Sequence, residues 1–454
     1  MIKLKDKIFE YLTKKGKILI LGFGKEGKST YDFIRSMDAT LPIGIADMNE
    51  ITCEKVLFDT NVFLHIGDNY LDACSQYDVI IKGPGVIIKD YLPPEIQKRI
   101  TCQTDLFVHF CEAKTIGITG TKGKSTTTSL LYHILKTIGK KAILMGNIGI
   151  PVFDTIDEIE EDTICVMELG CHQLEFMRYS PNIAVLLNIY EEHLDHYLSM
   201  QHYIDSKKNI YRHQGREDVA LLGNSPYLKD NDTMSIIVRN DLSSPNYYWL
   251  NDEELIISFK SNTIHIPRSK IETKLKGEHN ISNILVCLTI TFILGLDIDE
   301  GIKAIASFNG LPHRMENVGT YQDITYYDDS IATSIPSVIY AVQSLEVVDT
   351  IIIGGMDRGL DYQDLVDFLV TSSVRNILLL PDTNKRIHSL FDEVGTDKNV
   401  VSVKDMVEAV KIAKEVTEKG KICLLSPAAA SYGFYKNFEE RGNHFQNLVK
   451  ENNS

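Results

Sequence analysis

An α/β protein of three units is predicted, and three observations predict it. Short apolar strands repeatedly break into glycine-rich or acidic turns and then open amphipathic helices. Two of those turns carry phosphate-binding glycine spacings, Gly22-Phe23-Gly24-Lys25-Glu26-Gly27 and Gly120-Thr121-Lys122-Gly123-Lys124-Ser125. The chain has 454 residues, more than one hydrophobic core supports. The expected division is a Rossmann-like domain over 1–111, a central ATPase-type domain with a phosphate loop and a mainly parallel sheet over 112–310, and a second Rossmann-like domain over 311–454.

Composition removes several classes of function. A net charge of −15 argues against a nucleic-acid surface, where basic stripes are expected. No apolar run approaches the roughly 18 residues that a membrane helix needs, and Met1-Ile2-Lys3-Leu4-Lys5-Asp6-Lys7 lacks the apolar block of a secretory signal, so a cytoplasmic protein without a membrane partner is expected. The eight cysteines are scattered with no C-x-x-C pair, which argues for reduced thiols rather than zinc or disulfides. A polyanionic ligand must then be met by local lysines, arginines and backbone amides.

In chain order, the strand Lys17–Leu21 enters the Gly22–Gly27 turn and a helix through Tyr31, Phe33 and Ile34; the next strand, Ile43–Ala46, ends in Asp47. This is a dinucleotide-fold fingerprint with its acidic residue. Taken alone it suits an NAD oxidoreductase, and which nucleotide it binds stays open at this point. A further strand, Tyr77–Ile81, runs into Lys82-Gly83-Pro84-Gly85 at the same sheet edge.

Ile116–Thr119 is a strand, Gly120–Gly123 a turn whose amides can face a phosphate, and Lys124 the start of a helix with Leu130, Leu131, Ile134, Leu135 and Ile138 on one side. Lys124 suits the terminal phosphates of a nucleotide, and the Ser125 or Thr126 hydroxyl suits its magnesium. Strand Thr163–Met167 ends in Glu168 and strand Ile183–Leu187 in Asn188, five residues before His193, so a carboxylate and an imidazole are expected beside the loop. Lys207 and Lys208 read as the solvated face of a helix, and residues 219–276 as an antiparallel edge or satellite sheet. Asn280 and Asn283 lie one turn apart on the following helix, where Asn280 can also serve as a cap. After Leu311-Pro312-His313-Arg314 come four more strands, over 324–327, 351–353, 376–380 and 422–425, each followed by polar turn residues.

The ordered set Gly-Thr-x-Gly-Lys-Ser-Thr, Glu168-Leu169, Asn188 to His193, Glu278-His279-Asn280-x-x-Asn283, His313-Arg314, Asp329-Ser330 and Ser426-Pro427-Ala428 resembles the muramyl ligases of peptidoglycan synthesis over essentially the whole chain. The resemblance implies an ATP-dependent amide ligase that needs Mg2+, acts through an acyl phosphate, and joins glutamate to UDP-N-acetylmuramoyl-L-alanine. It sets NAD chemistry aside. It implies that Gly22, Phe23, Gly24, Lys25, Asp47, Gly85 and Asn147 hold the UDP substrate, and that Gly120, Thr121, Lys122, Gly123, Lys124, Ser125, Thr126, Asn280, Asn283, Arg314 and Asp329 hold ATP. Lys124, Glu168, His193 and Lys207 would be catalytic, with Ser125, Glu168, His193 and a carbamylated Lys207 at the metal. Thr333, Arg358, Ser431, Tyr432 and Phe438 would bind glutamate, and a monomer is expected. Two departures bear on the acceptor: Ile331 stands where these ligases usually carry lysine, and Gly170-Cys171 where they carry two serines. D-glutamate is the expected isomer, with an L-glutamate ligase as the alternative.

Overall fold

The structure is a computed structural model that describes residues 3–88, 92–148, 150–191, 197, 199–223, 225, 227–228, 235–238, 246–345 and 347–451. Its contacts form two compact units, one of Met1–Thr273 with Glu278–Phe308 and one of Lys274–Gly277 with Asn309–Ser454.

The first unit carries two sheets. One is a five-stranded parallel sheet of β1 (Ile18–Leu21), β2 (Ile43–Asp47), β3 (Val62–Ile66), β4 (Val79–Lys82) and β5 (Ile100–Thr101), in the order β3-β2-β1-β4-β5. β1 is an unbroken Ile/Leu run and β4 a Val/Ile run that ends in Lys82, all buried as in the covered middle of a parallel sheet. The helix Lys25–Met37 starts on the second glycine of the first turn and buries Tyr31, Phe33 and Ile34. The order reverses between β1 and β4, so their carboxyl ends open the crevice in which such sheets bind ligands.

The second sheet has nine strands: β6 (Lys114–Thr119), β7 (Ala142–Gly146), β8 (Ile164–Glu168), β9 (Ile183–Leu186), β10 (Val219–Leu222), β11 (Ser235–Val238), β12 (Tyr247–Leu250), β13 (Glu254–Phe259) and β14 (Asn262–Pro267). The order is β14-β13-β12-β11-β10-β9-β6-β8-β7. The sequence places Val219–Leu222 with the antiparallel segment; in the structure β10 pairs parallel with β9 and direction changes only at β11. The apolar residues of β10 are buried on both faces, as a central strand requires, and the flange from β11 to β14 is antiparallel.

The second unit holds one sheet: β15 (Glu316–Tyr321), β16 (Ile324–Asp328), β17 (Val348–Gly354), β18 (Asn376–Leu380), β19 (Asn399–Ser402) and β20 (Ile422–Leu425), in the order β15-β16-β20-β17-β18-β19. Only the β15–β16 pair is antiparallel. All four expected strands form. β15 and β19 were not expected: they are edge strands, half exposed, without the apolar run that marks the others. Among the described residues no helix is long and apolar enough to cross a membrane.

Candidate active site

The phosphate loop forms as its sequence dictates. β6 ends at Thr119, Gly123 caps the helix Lys124–Thr137 with φ at +85°, and the first helical amides are left facing the loop. Lys124 Nζ donates to the carbonyls of Gly120 (2.9 Å) and Thr121 (3.0 Å), folded back over the turn it would share with a phosphate. Asn188, at the end of β9, braces the loop from the side. Its Oδ1 accepts from the Lys122 amide (2.9 Å), its Nδ2 donates to the Lys122 carbonyl (3.1 Å), and its own carbonyl accepts from the Thr121 amide (3.0 Å). The strand end was legible in the sequence; the bracing role of the side chain was not.

Buried Asn280 and Asn283 belong to the helix Glu278–Ile293, and Asn283 Nδ2 donates to Asn280 Oδ1 at 3.0 Å. A Cβ on Gly123 would lie 2.8 Å from Asn283 Oδ1, so this pair sits directly on the loop. Thr126 is buried in the first turn of the loop helix with Ser125 beside it.

Glu168, 1% exposed, closes β8 next to the loop strand, with Ile118 of β6 its partner in register. Its Oε1 accepts from Asn147 Nδ2 at 2.6 Å and its carbonyl from the Asn147 amide at 2.9 Å. This latch requires Gly146, at φ +95°, since a Cβ there would lie 2.4 Å from the Glu168 carbonyl oxygen. Glu168 Oε2 is buried with no hydrogen-bond partner among the described residues. An orphaned hard oxygen beside a phosphate loop is a fit for Mg2+, and with the Ser125 hydroxyl it supplies the donor class that ion takes. His193 lies outside the described residues.

Lys207 corrects the sequence reading. It is 1% exposed, and the helix Met200–Arg212 turns it inward so that Nζ donates to the Gly120 carbonyl at 2.9 Å and stands 4.9 Å from the centre of the Tyr203 ring. Only Lys208 keeps the expected partly exposed position. Tyr203 in turn shares a 3.0 Å hydrogen bond with Thr121 Oγ1, so this helix touches the loop at two points.

At the first sheet, Gly22 has φ +88° and a Cβ on it would strike Val86 at 2.5 Å. Asp47 Oδ2 accepts from the Phe23 amide at 2.7 Å and Oδ1 from the Asn49 amide at 2.8 Å, which fixes the turn from the neighbouring strand end. Apart from their chain neighbours, no heavy atom of the described residues lies within 4 Å of where a Cβ on Gly24 or Gly85 would be, and Lys25 opens the helix. Space is therefore open beside these two glycines, while Gly22 is closed off by Val86.

In the second unit, Asp329 Oδ2 accepts from Ser426 Oγ (2.8 Å) and Oδ1 from the Met315 amide (3.2 Å). Burial pushes its carboxyl up to about 7. Arg314 Nε is buried without a hydrogen-bond partner among the described residues. His313 Nδ1 meets Asp328 Oδ2 at 2.7 Å; burial would lower the imidazole, and the carboxylate outweighs it and leaves it raised. Gln446 donates to both Glu316 and Asp328 at 2.9 Å, so this acidic cluster reads as a brace between strand and C-terminal helix.

The Arg358 guanidinium lies 5.6 Å from the centre of the Tyr432 ring, a cation–π arrangement, with both side chains exposed. Ser431 is buried, Thr333 is exposed, and Phe438 opens the helix Phe438–Lys450 with its carbonyl accepting from Ser330 Oγ. The sequence reading missed Arg441. It is 1% exposed and ties the Asp329–Ser330 turn to the Ala429 loop through Ser330 Oγ (3.0 Å), the Ser330 carbonyl (2.8 Å) and the Ala429 carbonyl (3.1 Å). A charge on the apolar side of a helix, within the closing stretch that resembles the muramyl ligases, was a signal for it that said nothing of this bracing role.

Residues 118–291 match the Mur ligase middle domain and residues 313–429 the Mur ligase glutamate ligase domain. The UDP-N-acetylmuramoylalanine–D-glutamate ligase of Clostridium botulinum (strain Loch Maree / Type A3) is 34% identical over 462 residues, spanning 97% of this chain and 98% of that protein. The enzyme of the same name from Clostridium tetani is 32% identical over 451 residues, 96% of each. Among solved structures, MurF from Acinetobacter baumannii aligns over 98% of both chains with a TM-score of 0.59 at 14% identity. UDP-N-acetylmuramate-alanine ligase MurC from Thermotoga maritima aligns with a TM-score of 0.56 at 18% identity over 96% of this chain and 99% of that one, a likeness of fold. With relatives this similar from end to end, and with both Mur ligase domains matched, the chain belongs to the Mur ligase family.

Proposed function

We propose that this enzyme adds D-glutamate to UDP-N-acetylmuramoyl-L-alanine at the expense of ATP, in the cytoplasmic assembly of peptidoglycan precursors, and that it acts as a monomer of three domains, 1–111, 112–310 and 311–454. What supports this most is the end-to-end similarity to D-glutamate ligases, since 97% of the chain takes part. The Gly22–Gly27 turn, with Phe23, Lys25, Asp47 and Gly85, takes the UDP group on the first sheet, and Asn147 assists from the central one. Residues 120–126 with Asn280, Asn283, Arg314 and Asp329 take ATP, while Thr333, Arg358, Ser431, Tyr432 and Phe438 take glutamate.

The reaction joins two anions, a carboxylate and a triphosphate, in a protein that is itself acidic. A carboxylate oxygen of the muramyl-alanine attacks the γ-phosphorus, ADP leaves, and the acyl phosphate forms. The glutamate amine then attacks its carbonyl carbon and loses a proton, and phosphate leaves with the C–O electron pair and takes up that proton. Lys124 swings from the loop carbonyls to the phosphates, and the loop amides and Arg314 oppose the charge that develops. Glu168, Ser125, His193 and a carbamylated Lys207 would hold Mg2+, which neutralises phosphate charge when bound. As a plain ammonium Lys207 would repel that ion, whereas a carbamate would offer it hard oxygens.

A coupled phosphate-release assay across a panel of amino acids tests the proposal. Release is expected only when ATP, UDP-N-acetylmuramoyl-L-alanine and D-glutamate are all present. Faster turnover of L-glutamate on the same acceptor would overturn the isomer and leave the ligase standing. Release without the muramyl substrate would overturn the function.

A further inference from the structure

Lys82, the last residue of β4, is 3% exposed, although it adjoins the Gly83–Gly85 turn at the open edge of the first sheet. Its Nζ lies 3.5 Å from Glu175 Oε2 and 5.6 Å from the centre of the Phe176 ring, and among the described residues it has no partner at hydrogen-bond geometry. Glu26, in the first turn of the Gly24-capped helix, also acts on its charge. The Glu26 Oε1 atom accepts from Gln173 Nε2 at 2.6 Å, and Gln173 Oε1 accepts from the Gly170 amide at 2.9 Å. Gln103 Nε2 holds the Glu26 carbonyl at 2.9 Å. His202 stands 3.9 Å from the other oxygen of Glu175. One buried ammonium thus faces the Glu175 carboxylate, and the Glu26 carboxylate, held by Gln173, adds its charge to the same group. One carboxylate belongs to the helix that starts on the first glycine turn; the other follows the helix Cys171–Leu174, three residues beyond Glu168.

Burying charge without full hydrogen bonding is costly, and packing alone could fill this space with apolar groups. Burial lowers the Lys82 ammonium against the pull of Glu175, and it raises the Glu26 carboxyl against the Gln173 bond. What the arrangement provides is direction: the charges fix the separation of two loops that one substrate must span.

We propose that Lys82 is a positioning residue for the muramyl substrate, locking the Gly22–Gly27 turn to the Gly170–Glu175 segment so that a UDP group on the first sheet delivers its distal carboxylate to the Glu168 end of the second. This rests on the reading that the first glycine turn holds UDP. ATP on the Gly120–Thr126 loop needs no such span, so the effect is confined to one substrate. A misplacement of about 1 Å can cost roughly a hundredfold in rate, so loosening this lock is visible in kinetics.

The test compares wild type with Lys82→Met and Lys82→Arg. Calorimetric binding of UDP-N-acetylmuramoyl-L-alanine to the wild type comes first; no binding there overturns the functional reading rather than the role of Lys82. Lys82→Met is expected to raise KM for the muramyl substrate roughly tenfold or more, with KM for ATP unchanged, and Lys82→Arg to recover most of the loss. An unchanged muramyl KM in folded Lys82→Met, equal rises for both substrates, or no recovery with arginine overturns the proposal. If Lys82→Met does not fold, Glu26→Gln, which keeps an oxygen for Gln173, must show the same selective rise, and a wild-type muramyl KM in that variant overturns it.

Discussion

Replacing Gly123 with alanine should damage nucleotide handling far more than the fold. Gly123 has φ +85°, which costs a residue with a Cβ about 1–2 kcal/mol. The new Cβ would also lie 2.8 Å from Asn283 Oδ1. That oxygen must retreat, and the 3.0 Å bond from Asn283 to Asn280 is then strained or lost, for about another 1 kcal/mol. If half or more of the resulting 2–3 kcal/mol falls on the bound state, kcat/KM for ATP drops by roughly tenfold to a hundredfold. Gly139 supplies the control. It has φ +81° but, chain neighbours apart, no heavy atom of the described residues within 4 Å of a Cβ, just past the far end of the same helix. Gly139→Ala therefore carries the backbone strain without the collision. Thermal unfolding should shift in both variants, and somewhat more in Gly123→Ala, while phosphate release and calorimetric ADP binding should weaken only in Gly123→Ala. A Gly123→Ala enzyme whose kcat/KM for ATP stays within about threefold of Gly139→Ala would refute the reasoning.

Lys124→Ala should abolish turnover with the circular dichroism spectrum intact; near-normal phosphate release by the folded variant would count against the loop as the ATP site. Lys207 should appear as a carbamate in carbon-13 bicarbonate labelling of active enzyme, and an unmodified lysine under those conditions would remove it from the metal set. Arg358→Ala should raise KM for glutamate by roughly tenfold or more while sparing KM for ATP, because a guanidinium grips a carboxylate through two parallel bonds; an unchanged glutamate KM would reassign that carboxylate. Asp329 has a folded pKa near 7, above the ordinary 3.8, so the stability it contributes is full below about pH 4 and is lost as pH rises to about 7. The stability of wild type relative to Asp329→Asn should therefore fall by on the order of 2–3 kcal/mol between pH 5 and 8 in urea titrations, and a pH-independent difference would contradict the buried acid.

The parts legible in the sequence were those in which local order and chemistry coincide. Strand, glycine turn, lysine and helix are contiguous around Gly120, and the helix forms where the apolar period says, although Ile138 falls just past its end as the capping residue. What stayed hidden joins residues distant in the chain. Asn188 reaches Lys122, 66 residues away, and Arg441 reaches Ser330 across 111. Neither spacing leaves a periodic trace. Lys207 was misjudged because two adjacent lysines look solvated, and only the packing of their helix against the loop shows which one turns inward. Lys82 was read merely as the residue before a turn, because burial of a strand-end lysine depends on Glu26 and Glu175, far away in sequence.

The change of strand direction at β11 bears on how this protein can vary over time. From β7 to β10 every neighbouring strand is parallel, so each connection must cross a face of the sheet, and its length is tied to the helix that makes the crossing. Beyond β10 the neighbours run antiparallel, and a turn as short as Lys260-Ser261 joins β13 to β14. Hairpins can be lengthened, shortened or replaced without shifting the strand ends that carry Glu168 and Asn188. Divergence in length should therefore collect in the flange, and a fusion tag or reporter inserted at Lys260-Ser261 has the best prospect of leaving turnover untouched.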